Sequence, residues 1–291
     1  MTKNNIWASI KIACLYITTI IGAGFASGRE IMTYFTSYKL YGIFGLVLAS
    51  ALIGIVGAFA LEKVYEKNCD DYKGFLQIVV GKKTGNILFF VVIAFMFCFY
   101  SIMMAGMTKL FTSTYSLSWP VSVFILSAVV LAVTLPGIKK LTLFCSILTP
   151  IVAIGLCFAA VYGAVLSSTE VSAGFNSKVF LPGNWFVASV VYMGYNCLTS
   201  TSVLCQTLPM LKSKKTALLS GLLGGFGICV IALIVNISMM INFVKIKGVE
   251  MPLAELALKI GDFGEKIFPI ILILAMFSSA VTALIGFSSA I

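Results

Sequence analysis

The chain alternates between long apolar blocks and short polar stretches. Eight apolar segments follow one another, at residues 6–38, 41–65, 86–111, 119–135, 141–166, 184–208, 216–243 and 265–291. Most reach or exceed the ~20 residues that cross a hydrocarbon core as a helix. One such block would fit a buried helix of a soluble domain. Eight in succession do not, because a soluble domain of this size has too little interior to hide them. The pattern predicts an all-α integral membrane protein with one helix per segment. Two segments carry polar and glycine interruptions, the first at 22–28 and the sixth at 193–196.

Two connectors are more than linkers. Residues 71–80 scatter apolar side chains among polar ones and predict a short interfacial helix. Residues 251–263 place Pro252 near the start and Leu253, Leu256, Ala257 and Ile260 at i, i+3, i+4 and i+7. That spacing predicts an amphipathic helix lying over the outer mouth of the bundle.

Composition sharpens this picture. Hydrophobic residues make up 60% of the 291 and charged ones 10%, against about 25% charged in soluble domains. The net charge of +10 sits mainly between apolar blocks, so it points to headgroups rather than to nucleic acid. With the N-terminus inside, Lys3, Lys11, Lys63, Lys67, Lys73, Lys82, Lys83, Lys139, Lys140, Lys212, Lys214 and Lys215 are cytoplasmic, twelve of the twenty basic residues. The informative short loops, at Lys139-Lys140 and at Lys212 to Lys215, both fall inside. There is no His, which excludes His-based catalysis, His-ligated metal and a His proton relay. The cysteines Cys14, Cys69, Cys98, Cys145, Cys157, Cys197, Cys205 and Cys229 form no CxxC pair and read as small hydrophobes. The first apolar block has no small-x-small cleavage site leading into a polar mature domain, so it reads as a retained helix. No pair of mid-membrane carboxylates suggests an enzyme.

The interruptions carry the functional signal. Gly22, Gly24 and Gly28 fall within seven residues, followed by Arg29-Glu30. Glycine costs a helix ~1 kcal/mol relative to Ala, and a mid-membrane charge at least ~2.5 kcal/mol. A discontinuous helix facing a protein-lined cavity relieves both. Close helix packing through the Gly24…Gly28 pair fits this segment equally well. The GxGxxxG spelling is no dinucleotide fingerprint, since no strand precedes it. The sixth segment adds Gly194, Asn196 and the hydroxyls of Thr199 to Ser202. Interruptions five helices apart point to an inverted-repeat transporter with helices one and six both discontinuous. Hydroxyls bonded back to their own helix would explain Thr199 to Ser202 but not Gly194 with Asn196.

The string IGAGFASGREI at 21–31 resembles the glycine-rich first helix of the amino acid–polyamine–cation superfamily, which has the LeuT-type fold, and most of all the YkvI-type bacterial membrane proteins. Tyr192-Met193-Gly194-Tyr195-Asn196 is similar to the superfamily's sixth-helix string, with Asn in place of an acid. The resemblance implies five plus five inverted helices. Residues 1–166 would be the first repeat and 184–291 part of the second, so that helices one to eight are present and nine and ten are missing. It implies a substrate site at Gly22, Ala23, Gly24, Phe25, Tyr192, Gly194, Tyr195 and Asn196. The helix-eight string Ala275-Met276-Phe277-Ser278-Ser279 matches the sodium site of coupled members, which adds the carbonyls of Thr18 and Ile21. Close packing of small residues is the alternative for Ser278-Ser279.

The expected function is secondary active transport: Na⁺-coupled symport of an amino acid or similar small solute across the cell membrane, with no cofactor beyond the coupling ion. Arg29 and Glu30 are candidate gate residues or an interfacial ion pair. Proton coupling, a channel, and a non-transporting sensor or assembly protein on the same fold remain as alternatives.

Overall fold

The computed structural model describes residues 3–166 and 183–288, and every regular element among them is helical. Lys178 and the end of the eighth expected segment at 289–291 lie outside the described residues.

The first segment is cut. Helix α1 (Lys3–Ile20) ends in mid-segment, and Gly22 is extended at φ −96°, ψ −164°. One turn of helix follows, α2 (Ala23–Ala26). Gly28 then takes the left-handed conformation at φ 82° and opens α3 (Arg29–Tyr34). An L side chain at Gly28 would be strained there and would press on the Leu253 backbone and the Met239 sulfur.

The remaining helices run α4 (Leu40–Lys67), α5 (Tyr72–Val80), α6 (Lys82–Tyr115), α7 (Trp119–Thr134), α8 (Ile138–Val165), α9 (Trp185–Cys205), α10 (Lys214–Ile241), α11 (Phe243–Ile246), α12 (Pro252–Leu258) and α13 (Phe268–Ser288). A π-helical turn, Phe263–Ile267, leads into α13. Both connector helices are present. Asp71 caps α5 by accepting from the Gly74 N–H. Helix α12 buries Pro252, Leu253, Leu256 and Ala257, so three residues of the expected face are buried, while Ile260 lies beyond the helix end and is half-buried.

Among the described residues, five helices are long and apolar enough to cross a membrane: α4, α6, α8, α10 and the stretch Phe263–Phe287. The other three of the eight expected spans fall short for separate reasons. The break shortens α1, α7 has only 16 residues, and the hydroxyls of α9 dilute its apolarity.

Packing divides the helices into two groups. Helices α1, α4, α9 and α10 form one, with α4 lying along α10. Helices α6, α7 and α13 form the other, with α13 against α6, while α8 packs on α1 and α10 as well as on α13. In the first group glycines replace bulk at the crossings. A Cβ at Gly225 would run into Gly54, and Cβ atoms at Gly57 and Gly224 would both strike the ring of Tyr16. Tyr16 is thus clasped between α4 and α10, and its hydroxyl donates to the Ile53 carbonyl at 2.7 Å. Such close approach through small residues is the membrane counterpart of core packing.

The expected break in the sixth segment is not there. Helix α9 runs through 193–196 without interruption. The Asn196 amide donates to the Tyr192 carbonyl at 2.9 Å, so the side chain reinforces its own helix. Ser200, Thr201 and Ser202 donate to the carbonyls of Asn196, Cys197 and Thr199, each at 2.7 Å. A polar group that satisfies itself locally need not unwind the helix. Gly194 costs helix propensity only, and the space its Cβ would fill is empty.

Two substitutions test this packing. Gly225→Val is expected to destabilise the detergent-solubilised protein by about 1–3 kcal/mol through overpacking. Gly194→Ala is expected to be neutral or stabilising by up to about 1 kcal/mol. A thermal-unfolding comparison that reversed this order would contradict both the glycine crossing and the unbroken α9.

Candidate functional site

A helix that stops inside a membrane leaves carbonyls without partners, and each must find one. At this break most do so close by. Ala26 and Ser27 donate their N–H groups to Gly22 and Ala23, and Gly28 donates to Phe25. The Ser27 hydroxyl donates to Gly24 at 3.2 Å. The Ser27 carbonyl accepts from the Leu253 N–H at 2.9 Å, which pins the start of α12 onto the break.

The Thr18 and Ile21 carbonyls are satisfied from across the bundle. The Ser279 hydroxyl of α13 reaches them at 3.3 and 3.2 Å. Ser278, one residue earlier, donates to Ala275 at 2.9 Å. Ser279 thus joins the Thr18 and Ile21 carbonyls across the bundle, while Ser278 bonds back to Ala275 on its own helix. A small cavity of about 10 Å³ beside them is bounded by Thr18, Ile21, Thr149 and Ser278, with Leu148 and Val152. That is at the lower limit for one water-sized species. Thr149 of α8 bonds to the Thr18 hydroxyl and also donates to the Cys14 and Cys145 carbonyls at 3.0 and 2.7 Å. It ties α8 to the same locus and was not anticipated from the sequence.

On the other side of the break lies a cavity of about 400 Å³. Ala23, Gly24, Glu30 and Tyr34 line one wall; Phe99, Met103 and Gly106 of α6 with Met276 of α13 line the other. The Glu30 carboxylate folds back over Gly24 so closely that a Cβ there would collide with it. Tyr195 also lines the cavity and donates to Glu30 at 2.9 Å. Among the described residues, the Ala23 N–H meets the weakly accepting Met103 sulfur, at 3.5 Å.

The eight expected substrate residues separate. Ala23, Gly24 and Tyr195 line the cavity. Gly22 is bare toward Ser279, Met103 and Phe99 and stands between the two loci. Phe25 and Asn196 are buried outside the lining, and Gly194 borders open space. Tyr192 packs in an aromatic cluster, with ring centroids 4.9 Å from Phe35, 5.4 Å from Tyr34 and 5.5 Å from Tyr195. Arg29 and Glu30 do not pair with each other. Arg29 meets Glu250 at 3.8 Å, both side chains about two-thirds exposed, so the pair contributes little. The α6 wall was missed although Phe99, Met103 and Gly106 share one helical face at i, i+4 and i+7.

Two proteins of Bacillus subtilis (strain 168) are similar in sequence. The membrane protein YkvI is 23% identical over 217 residues, which is 74% of this chain and 61% of YkvI. The protein YyaD is 22% identical over 284 residues, 97% of this chain and 81% of YyaD. No family model matches. The fold matches crystal structures of a manganese transporter from Eremococcus coleocola. A histidine-to-alanine mutant of that transporter superposes with TM-score 0.66 at 15% identity, over 98% of this chain and 65% of that one. A complex of the same transporter with an aromatic bis-isothiourea substituted compound gives TM-score 0.62 at 16% identity, over 97% of this chain and 64% of that one. The chain resembles YkvI and has a transporter's fold. It is a multi-pass helical membrane protein, and it spans less than two thirds of the length of YkvI and of that transporter.

Cysteine labelling tests the cavity's extent. In a background without the native cysteines, Thr33→Cys at the cavity is expected to react with a hydrophilic thiol reagent at least ~10-fold faster than Asn196→Cys, since labelling follows access of the thiolate. Equal rates would place Asn196 at a water-reached wall after all.

Proposed function

We propose that the protein is a secondary active transporter that couples Na⁺ entry to movement of an amino acid or similar small amphoteric solute. The observation that carries this reading is the broken first helix, whose freed Thr18 and Ile21 carbonyls meet Ser279 beside a solute-sized cavity. The fold shared with a transporter supports it.

The ion reading rests on ligand chemistry. Carbonyl and hydroxyl oxygens suit a hard cation. The cluster at Ser279 contains no carboxylate, and neutral ligands compensate one charge more readily than two. Among the described residues no group of three or more His, Cys, Asp or Glu could hold a metal ion. This favours a monovalent ion over the manganese named for the structural neighbour. On ion binding the Ser279 hydroxyl would turn its oxygen inward and leave both carbonyls to the cation.

The solute reading rests on complementary groups in one cavity. The underused Ala23 N–H would receive a carboxylate. Glu30, held by Tyr195, would receive an ammonium group. Phe99, Met103 and Met276 offer an apolar and polarisable wall to the rest of the solute. With the N-terminus in the cytoplasm of the cell, as the lysine distribution suggests, the cavity faces outward. Its mouth would be flanked by Arg29 and Glu250 as a weak outer gate.

Alternating access would then be a rocking of the α1–α4–α9–α10 group against the α6–α7–α13 group, with α8 packed on both. The ion site joins α1 to α13, across that boundary, so its occupancy biases one orientation.

The test is thermal stability of the purified protein in Na⁺ against K⁺, with a panel of amino acids. Saturating Na⁺ is expected to stabilise by on the order of 2 kcal/mol, and Ser279→Ala is expected to abolish most of that difference. Indifference to Na⁺ in the parent protein would remove the ion-coupled reading. Solute binding without flux in proteoliposomes would favour a sensor.

A further inference from the structure

A second cavity, of about 420 Å³, lies at the opposite end of α1 from the break. It is built from three separate parts of the chain: Trp7 and Lys11 of α1, Lys139 and Leu143 of α8, and Lys212 of the turn between α9 and α10. Three lysines thus line one space, and none of the described residues lining it is acidic. Some lysines on the same side are paired instead. Lys63 meets Glu66 at 2.9 Å, and Lys214, two residues beyond Lys212, bonds to both Glu62 and Glu66.

Two further features point to an anion. Lys139 sits in the first turn of α8, where a positive charge opposes the helix dipole. The residue before that turn, Gly137, offers no side-chain cap to its N–H groups. Like charges gathered at an uncapped helix start raise the local positive potential and favour a counter-anion there. The surroundings then select the kind of anion. Trp7 is 55% exposed at the rim, and Ile6, Ile10, Leu143 and Ile147 are exposed alongside. An interfacial indole above apolar side chains is a setting for acyl chains below a headgroup.

We propose that this cavity binds the phosphate of an anionic phospholipid headgroup, with Lys11, Lys139 and Lys212 as its ligands and Trp7 at the glycerol level. The bound headgroup joins the N-terminal half of α1 to α8 and to the α9–α10 turn. Basic pockets between helix ends are a recurring mode of lipid recognition. The inference stands apart from the transport reading and does not need it.

Native mass spectrometry of the full chain in neutral detergent tests it. The parent protein is expected to retain one phosphatidylglycerol in preference to phosphatidylcholine. The triple variant K11Q/K139Q/K212Q is expected to lose that occupancy at least ~10-fold, while K82Q/K83Q, whose lysines lie outside the cavity, keeps it. If the triple variant fails to fold, K212E alone on the exposed turn gives the same comparison. Equal retention by parent and variant would overturn the site. Displacement of the lipid by millimolar inorganic phosphate would overturn the lipid assignment in favour of a soluble anion.

Discussion

Where α1 stops in mid-segment, peptide carbonyls lose their helical partners and each needs another. Every feature around the break follows from meeting that demand. Ser27 and the one-turn α2 satisfy the nearest groups. The start of α12 supplies the Leu253 N–H, which explains why an amphipathic helix docks at this level. Ser279 crosses from α13 to serve Thr18 and Ile21 together. One hydroxyl hydrogen shared between two carbonyls is a thin form of satisfaction, and a cation would meet all the oxygens better.

The packing around α1 is of two kinds. The half-helix α1 is held by α4 and α10 through Tyr16, set between Gly57 and Gly224. The glycines make this group close-fitting, so α1 moves with it or not at all. Its links to α6, α8 and α13 near the break are of another kind: hydroxyls of Ser279 and Thr149, and the Met103 sulfur. Hydrogen bonds at a boundary can be exchanged for ion or solute contacts at small net cost. Interdigitated glycine crossings cannot. Rigid groups with an exchangeable seam between them are what a bistable carrier requires.

Much of this was legible in the residues. Apolar block length gave the order of the helices, and Gly22, Gly24 and Gly28 located the break. Leu253, Leu256 and Ala257 gave the buried face of α12. The sixth helix misled because composition does not reveal whom a polar side chain bonds. Asn196 and the hydroxyls from Thr199 to Ser202 look like an opening and are a self-satisfied helix. Glu30 showed the same limit in reverse. Its neighbour Arg29 suggested a pair, but the two point apart, Arg29 toward Glu250 and Glu30 into the cavity. Partners distant in sequence, such as Thr149 and the Phe99–Met103 wall, leave only a faint helical-face signal until the fold joins them.

The proposed carrier requires two helix groups that move against each other under control of an ion at Ser279. Spin labels on exposed ends of the two groups, at Leu40 of α4 and Tyr115 of α6, report that motion directly through electron–electron distance distributions. Two separations are expected, with populations that shift when Na⁺ replaces K⁺. A single distribution, unchanged by the ion, would contradict the ion-controlled rocking.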